Sequence, residues 1–293
     1  MDKIAEIKNK DNTPGDKAEK NGRDRILRET DNSTGNRIEN VFKNNKALMP
    51  YITAGDPDLD TTREIMLTLD RSGADIIEVG IPFSDPLADG PVIQAAGQRA
   101  LKADVDLGKI INMLRGIRDE IKTPYLLMGY INPILSYGKD RFIEDALEAG
   151  VSGVIIPDLP YDQDIDFIKQ LIDNDLSPVL MVTPVTSEER LKIIAKLSRA
   201  FIYCVSLLGI TGSRQGPIKS IESYLKKVRN YTDLPLALGF GIDGPEKVKK
   251  ILNTVDGVII GTALVKIVEK YGEDKEKLLE EVSEFISGIK EVM

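Results

Sequence analysis

Eight short runs rich in Val, Ile, Leu and Tyr alternate with eight stretches of helical periodicity along residues 37–293. That alternation predicts an α/β protein built as a single (β/α)8 TIM barrel, because alternating strand and helix patterns give parallel strands joined by right-handed crossovers. Two further observations agree. The body spans 257 residues, and a closed eight-stranded barrel needs about 250. The runs are also apolar on consecutive positions, as in GVII at 257–260, which suits strands covered on both faces. An open doubly wound sheet is the structural alternative. It would carry a Gly-x-Gly-x-x-Gly turn after the first strand, and none is there.

Residues 1–36 hold eight basic and eight acidic side chains, so the formal charge of −8 belongs to the body. Their few large apolar residues show no sustained period, and such a segment buries too little surface to offset its ordering entropy. It is expected to be a polar, disordered extension, and its acids set it apart from a transit peptide. Strands are expected at 47–53, 75–81, 124–130, 153–157, 178–183, 201–206, 235–240 and 257–261. Helices are expected between and after them. In 60–72, Thr62, Ile65, Met66 and Leu69 share one face, and in 107–121 Leu107, Ile110, Ile111, Leu114, Ile117 and Ile121 do the same. The stretches 140–149, 163–174, 187–198, 219–229, 245–253 and 275–292 repeat the pattern. Ser72-Gly73, Ala149-Gly150 and Asp256-Gly257 read as helix ends. Strand starts lie 22 to 34 residues apart except for a gap of 49 between the second and third, which marks an insertion.

Composition removes whole classes of chemistry. The chain has no His, which excludes Ser-His-Asp and Cys-His triads, His-ligated zinc and an imidazole base. One cysteine, Cys204, excludes an intrachain disulfide and a multi-thiolate metal site. The acidic balance argues against a nucleic-acid partner, and no apolar run reaches the ~20 residues of a membrane helix. No lysine stands at the eight strand ends, which disfavours Schiff-base and pyridoxal phosphate chemistry within this chain.

In a barrel, function collects at the C-terminal strand ends. Glu78 lies inside the second strand, where an ionisable group is costly unless it is paired or used. The loop after it, residues 82–91, has three prolines and the acids Asp85 and Asp89, each able to open a turn. Two carboxyls in different environments can act as acid and base without histidine. The loop 207–216 carries three glycines with Thr211 and Ser213, and reads as a lid with a phosphate contact. Gly239, Gly241, Gly244 and Gly261-Thr262 close the seventh and eighth strands, where barrels commonly bind phosphate through backbone N–H groups. A carboxylate-driven, cofactor-free reaction on a phosphorylated substrate is what these eliminations leave.

Over roughly 37–293 the sequence resembles the α subunits of tryptophan synthase. The motifs that carry the resemblance are PYITAGDP at 50–57, EVGIPFSDPLADGP at 78–91 and GFGI at 239–242. The resemblance implies a cytoplasmic, metal-free and cofactor-free lyase that cleaves indole-3-glycerol phosphate to indole and glyceraldehyde 3-phosphate. It implies a β-subunit partner in an α2β2 tetramer, where pyridoxal phosphate joins indole to serine. Glu78 would be the acid–base residue at indole C3, and Asp89 would accept the indole N–H. Tyr51, Ile93, Met128, Tyr130 and Tyr203 would line the indole pocket, with Thr211 in the lid. Gly212, Gly241, Gly261 and Thr262 would hold the phosphate, and Ser84, Asp85, Pro86 and Asp158 would face the partner. Tyr51 stands where many members have Phe, which adds a hydroxyl that needs a partner. Leu207-Leu208 and the 36-residue extension depart from the family pattern. A free-standing indole-releasing lyase, a non-catalytic barrel that activates a β subunit, and another phosphate-binding barrel enzyme of the same pathway are the alternatives.

Overall fold

The structure is a computed structural model and describes residues 34–43, 45–206, 218–239 and 241–293. Within them, strands β1 (Ala47–Thr53), β2 (Ile77–Gly80), β3 (Tyr125–Met128), β4 (Gly153–Ile155), β5 (Ser177–Pro178), β6 (Met181–Val182), β7 (Ile202–Val205), β8 (Leu236–Gly239) and β9 (Gly257–Ile260) run parallel in the order β5-β4-β3-β2-β1-β9-β8-β7-β6. The two outer members are consecutive pieces of one segment, separated only by Val179 and Leu180. Val179 N–H donates to the Val154 carbonyl on one side, and Tyr203 N–H donates to the Leu180 carbonyl on the other. The sheet therefore closes on itself as a barrel of eight strand segments. The expected fifth strand appears in two pieces because Pro178 has no N–H and because the segment pairs with β4 through its first half and with β7 through its second.

Helices α1 (Thr34–Val41), α2 (Leu59–Arg71), α3 (Pro91–Lys102), α4 (Leu107–Ile117), α5 (Ile131–Tyr137), α6 (Lys139–Glu148), α7 (Ile165–Asp173), α8 (Glu188–Leu197), α9 (Ile218–Arg229), α10 (Pro245–Ile251), α11 (Thr262–Tyr271) and α12 (Lys275–Lys290) accompany the strands. Four of them, α1, α3, α5 and α11, exceed the sequence expectation. The first begins inside the segment assigned to the polar extension. The second follows the insertion loop and holds a mid-helix Gly97. The other two follow a strand with almost no linker. Asp58, Asp106, Asp164, Ser187 and Asp274 cap their helices by accepting a backbone N–H, each worth about 1 kcal/mol. Gly73 and Gly150 take φ of +93° and +79° after α2 and α6, the left-handed ending that the sequence implied. Gly257 is different: it opens β9, while Asp256 accepts the Leu236 N–H at 2.7 Å.

Strand alternation splits the core in two. Positions such as Leu48, Ile52, Ile77, Val79 and Leu127 pack outward against the helices. Ala47, Met49, Ile76, Leu126, Ile155, Val179, Phe201, Ala237 and Ile259 fill the barrel interior. Ile38 of α1 joins that inner cluster, and the Phe42 ring lies 5.7 Å from Phe201. The inner cluster with α1 seals the N-terminal end, so polar side chains at the C-terminal end face a floor of packed hydrocarbon.

Candidate active site

Glu78 is set by register. It is the Cα partner of Tyr51 in β1 and of Leu126 in β3, and in a strand whose odd-numbered neighbours Ile77 and Val79 face the helices it points into the barrel. It is fully buried, and neither carboxyl oxygen has a hydrogen-bond partner among the described residues. Among the described residues no Lys or Arg pairs with it. Burial pushes its pKa up to about 8, so the group holds its proton at neutral pH.

The insertion loop supplies the second carboxyl. Asp89 is half-buried, and burial raises its pKa while a hydrogen bond from the Tyr130 hydroxyl opposes the rise. Tyr130, at the end of β3, also accepts the Ala88 N–H at 3.0 Å and lies 5.2 Å from the Phe83 ring. The Gln94 side chain, in the first turn of α3, donates to the Asp89 carbonyl at 2.9 Å. One tyrosine and one helix turn thus hold the loop by its backbone and direct the Asp89 carboxyl inward. Asp85 is instead exposed and accepts from the Ser84 hydroxyl. Of the two loop acids, Asp89 is the one associated with the hollow.

Tyr51 and Tyr203 connect the two carboxyls. The charges of both Glu78 and Asp89 act on both phenols and, with burial, raise their pKa values. Four ionisable groups from β1, β2, its loop and β7 therefore surround one space. Glycines make room for the rings: a Cβ on Gly80 would lie 2.1 Å from the Tyr51 hydroxyl, and one on Gly239 would lie 3.1 Å from that of Tyr203. Met128 packs against the inner cluster, and Ile93, in the first turn of α3, is half-buried.

Gly241 and Gly261 close the neighbouring strands β8 and β9. Gly241 takes φ of +53°, open space surrounds the position a Cβ would fill, and its carbonyl accepts from Lys247 at 3.2 Å. Gly261 precedes α11 without a side-chain cap, and Thr262 is the first residue of that helix. Its first N–H groups are left to solvent or to a ligand. Thr211 and Gly212 lie outside the described residues, as does the Leu207-Leu208 pair. Ser84, Asp85 and Asp158 are exposed and Pro86 is half-buried, and Asp158 accepts the Ile131 N–H at 2.9 Å, anchoring the start of α5. Leu87 in the same loop and Val185 after β6 are 94% and 79% exposed.

Two residues beside the mouth drew no role from the sequence. Asp56, inside the 50–57 motif, is buried and takes a two-point ion pair from Arg99 of α3 at 2.7 and 2.8 Å. Arg99 also reaches Glu269 of α11 at 3.1 Å. The acid following a strand end was a visible signal, but its partner 43 residues on was not. Among the described residues no group of three or more His, Cys, Asp or Glu is placed to hold a metal, and no helix is long and apolar enough to cross a membrane.

A family model described as tryptophan synthase alpha chain matches residues 39–293. The chain belongs to that family. The tryptophan synthase alpha chain of Petrotoga mobilis is 53% identical over 254 residues, 87% of this chain and 98% of the relative. That of Thermoanaerobacter sp. strain X514 is 43% identical over 263 residues, 88% of this chain and all of the relative. The crystal structure of the alpha chain from Legionella pneumophila subsp. pneumophila superposes with a TM-score of 0.81 at 35% identity, covering 90% of this chain and 97% of that one. A tryptophan synthase complex from Pyrococcus furiosus gives 0.75 at 36%, covering 83% and 98%. The tryptophan synthase alpha chain is a lyase. It cleaves indole-3-glycerol phosphate to indole and glyceraldehyde 3-phosphate, passes indole to the β subunit, and needs no cofactor of its own, since pyridoxal phosphate belongs to the β subunit.

Proposed function

We propose that Glu78 and Asp89 divide the aldol cleavage between them. What carries this reading is a buried Glu78 carboxyl with no hydrogen-bond partner among the described residues, its pKa raised by burial, beside a second carboxyl sharing its hollow. The protonated Glu78 donates to indole C3, so its O–H bond breaks as the C3–H bond forms and the ring becomes an indoleninium. Asp89 accepts the ring N–H and stabilises that positive charge. The Glu78 carboxylate then removes the proton from the hydroxyl on the side-chain carbon attached to C3. The C3–C bond breaks, its electrons restore the neutral indole ring, and the aldehyde of glyceraldehyde 3-phosphate forms. Glu78 ends protonated, as it began, so the cycle uses no external proton or electron.

In this reading Tyr51, Ile93, Met128, Tyr130 and Tyr203 line the indole pocket. Gly241, Gly261 and Thr262 hold the phosphate through backbone N–H groups, with Thr211 and Gly212 completing the lid and cradle. The exposed Ser84–Pro86 segment, Asp158 and Leu87 receive a β subunit in an α2β2 assembly, and the chain works in the cytoplasm. The test is an indole assay on the full chain, with and without β subunit. Glu78→Gln is expected to lower turnover by about 10³-fold or more with an unchanged circular dichroism spectrum. Near-normal turnover by that variant removes the acid–base role. High wild-type turnover without a partner favours a free-standing lyase, and partner activation with no turnover favours an activator.

A further inference from the structure

Glu78 and Tyr51 leave complementary hydrogen-bonding capacity unused on adjacent strands. The Tyr51 oxygen accepts from Thr53 Oγ1 at a long 3.4 Å. Among the described residues no acceptor takes the phenol proton, and no donor reaches either Glu78 oxygen. The two residues are register partners, the ring is pressed over Gly80 two positions beyond Glu78, and the Glu78 charge acts on the hydroxyl. While Glu78 is protonated, a missing donor costs it little. Once it has given its proton away it becomes a fully buried carboxylate with no partner, a state that is expensive in a hydrocarbon surround.

We propose that the Tyr51 hydroxyl is a positioning group that donates a hydrogen bond to the Glu78 carboxylate formed when the proton leaves. The proposal rests on Glu78 being the acid of the reaction. No proton is transferred from the phenol: its O–H stays intact and turns from the Tyr51–Thr53 pair towards the new charge. Among the described residues the other ionisable groups facing this space are Tyr203 from β7 and Asp89 from the loop after β2, with Tyr130 at the end of β3 holding Asp89. Among the described residues no Lys or Arg pairs with Glu78, so a phenol is the donor class the barrel supplies. Of the two phenols, Tyr51 is the one in direct register with Glu78.

The experiment is the pH dependence of indole formation by the full chain with its β subunit, for wild type, Tyr51→Phe and Glu78→Gln. Loss of the hydroxyl is expected to lower kcat about tenfold while KM changes less than about twofold, because the ring that lines the pocket is kept. The limb on which kcat/KM falls as pH rises through the Glu78 pKa moves up by about one pH unit, the tenfold equivalent. The infrared C=O stretch of protonated Glu78, isolated by difference against Glu78→Gln, moves with it. An unmoved limb and an unmoved band overturn the proposal, and so does a loss carried wholly by KM. If Glu78→Gln keeps turnover, the acid–base reading fails first and the role of Tyr51 fails with it.

Discussion

The Tyr51 phenol occupies the space that a side chain at Gly80 would need: a Cβ there would lie 2.1 Å from the hydroxyl and 2.5 Å from the carbon that bears it. The second strand therefore carries its catalytic candidate at 78 and a required absence of side chain at 80, both facing the same ring. Gly80→Ala is expected to destabilise the fold by about 1–3 kcal/mol and to lower indole formation by displacing Tyr51. Introduced into Tyr51→Ala, the same change is expected to cost much less, and a double-mutant cycle by urea unfolding measures the difference.

The raised Glu78 pKa has a consequence for stability. Folded, the carboxyl holds its proton up to about pH 8; its ordinary value is 4.5. Between those values the folded state binds more protons than the unfolded one, so stability is full below the lower value and falls as pH rises towards the upper one. Glu78→Gln lacks that penalty. The unfolding free energy of the variant relative to wild type, measured by urea denaturation, is expected to increase from about pH 5 to about pH 8, with a slope of at most about 1.4 kcal/mol per pH unit. A constant difference across that range contradicts the shift.

Tyr130 ties the Asp89 carboxyl and the Ala88 N–H to the end of β3. Asp89→Asn is expected to lower kcat/KM by about 10²-fold or more. Tyr130→Phe is expected to lose less, since it loosens the loop without removing the carboxylate. Steady-state kinetics on both variants checks the order.

The Asp56–Arg99 pair fixes the β1 end to α3, whose first turn holds the Asp89 loop. Arg99→Met leaves a buried carboxylate unpaired and is expected to cost about 3–5 kcal/mol. The double change with Asp56→Asn is expected to recover part of that in chemical denaturation.

Asp85 is exposed on the loop assigned to the partner face. Asp85→Lys is expected to weaken β-subunit binding by about tenfold or more, read by titration calorimetry.

Periodicity alone located each strand segment of the barrel and eight of the helices, because apolar spacing is a local property of the chain. The same locality explains what it missed. Helix α3 sits inside a gap that the prolines of 82–91 made look like loop, and the fifth strand divides because its two halves answer to different neighbours, β4 and β7. Glu78 was legible as an anomaly, an acid in an apolar run. That it has no partner among the described residues, and that its pKa is displaced, depends on what four other segments place around it.

By itself the chain's order of residues determined the barrel, the absence of imidazole chemistry, and the two acids eleven positions apart. Only tertiary structure shows that Asp89 is half-buried while Asp85 is exposed, that the charges of Glu78 and Asp89 both act on Tyr51 and Tyr203, and that Asp56 reaches Arg99. The reason is that burial and charge act through space: groups far apart in sequence set each other's protonation only once strand register has brought them to one wall.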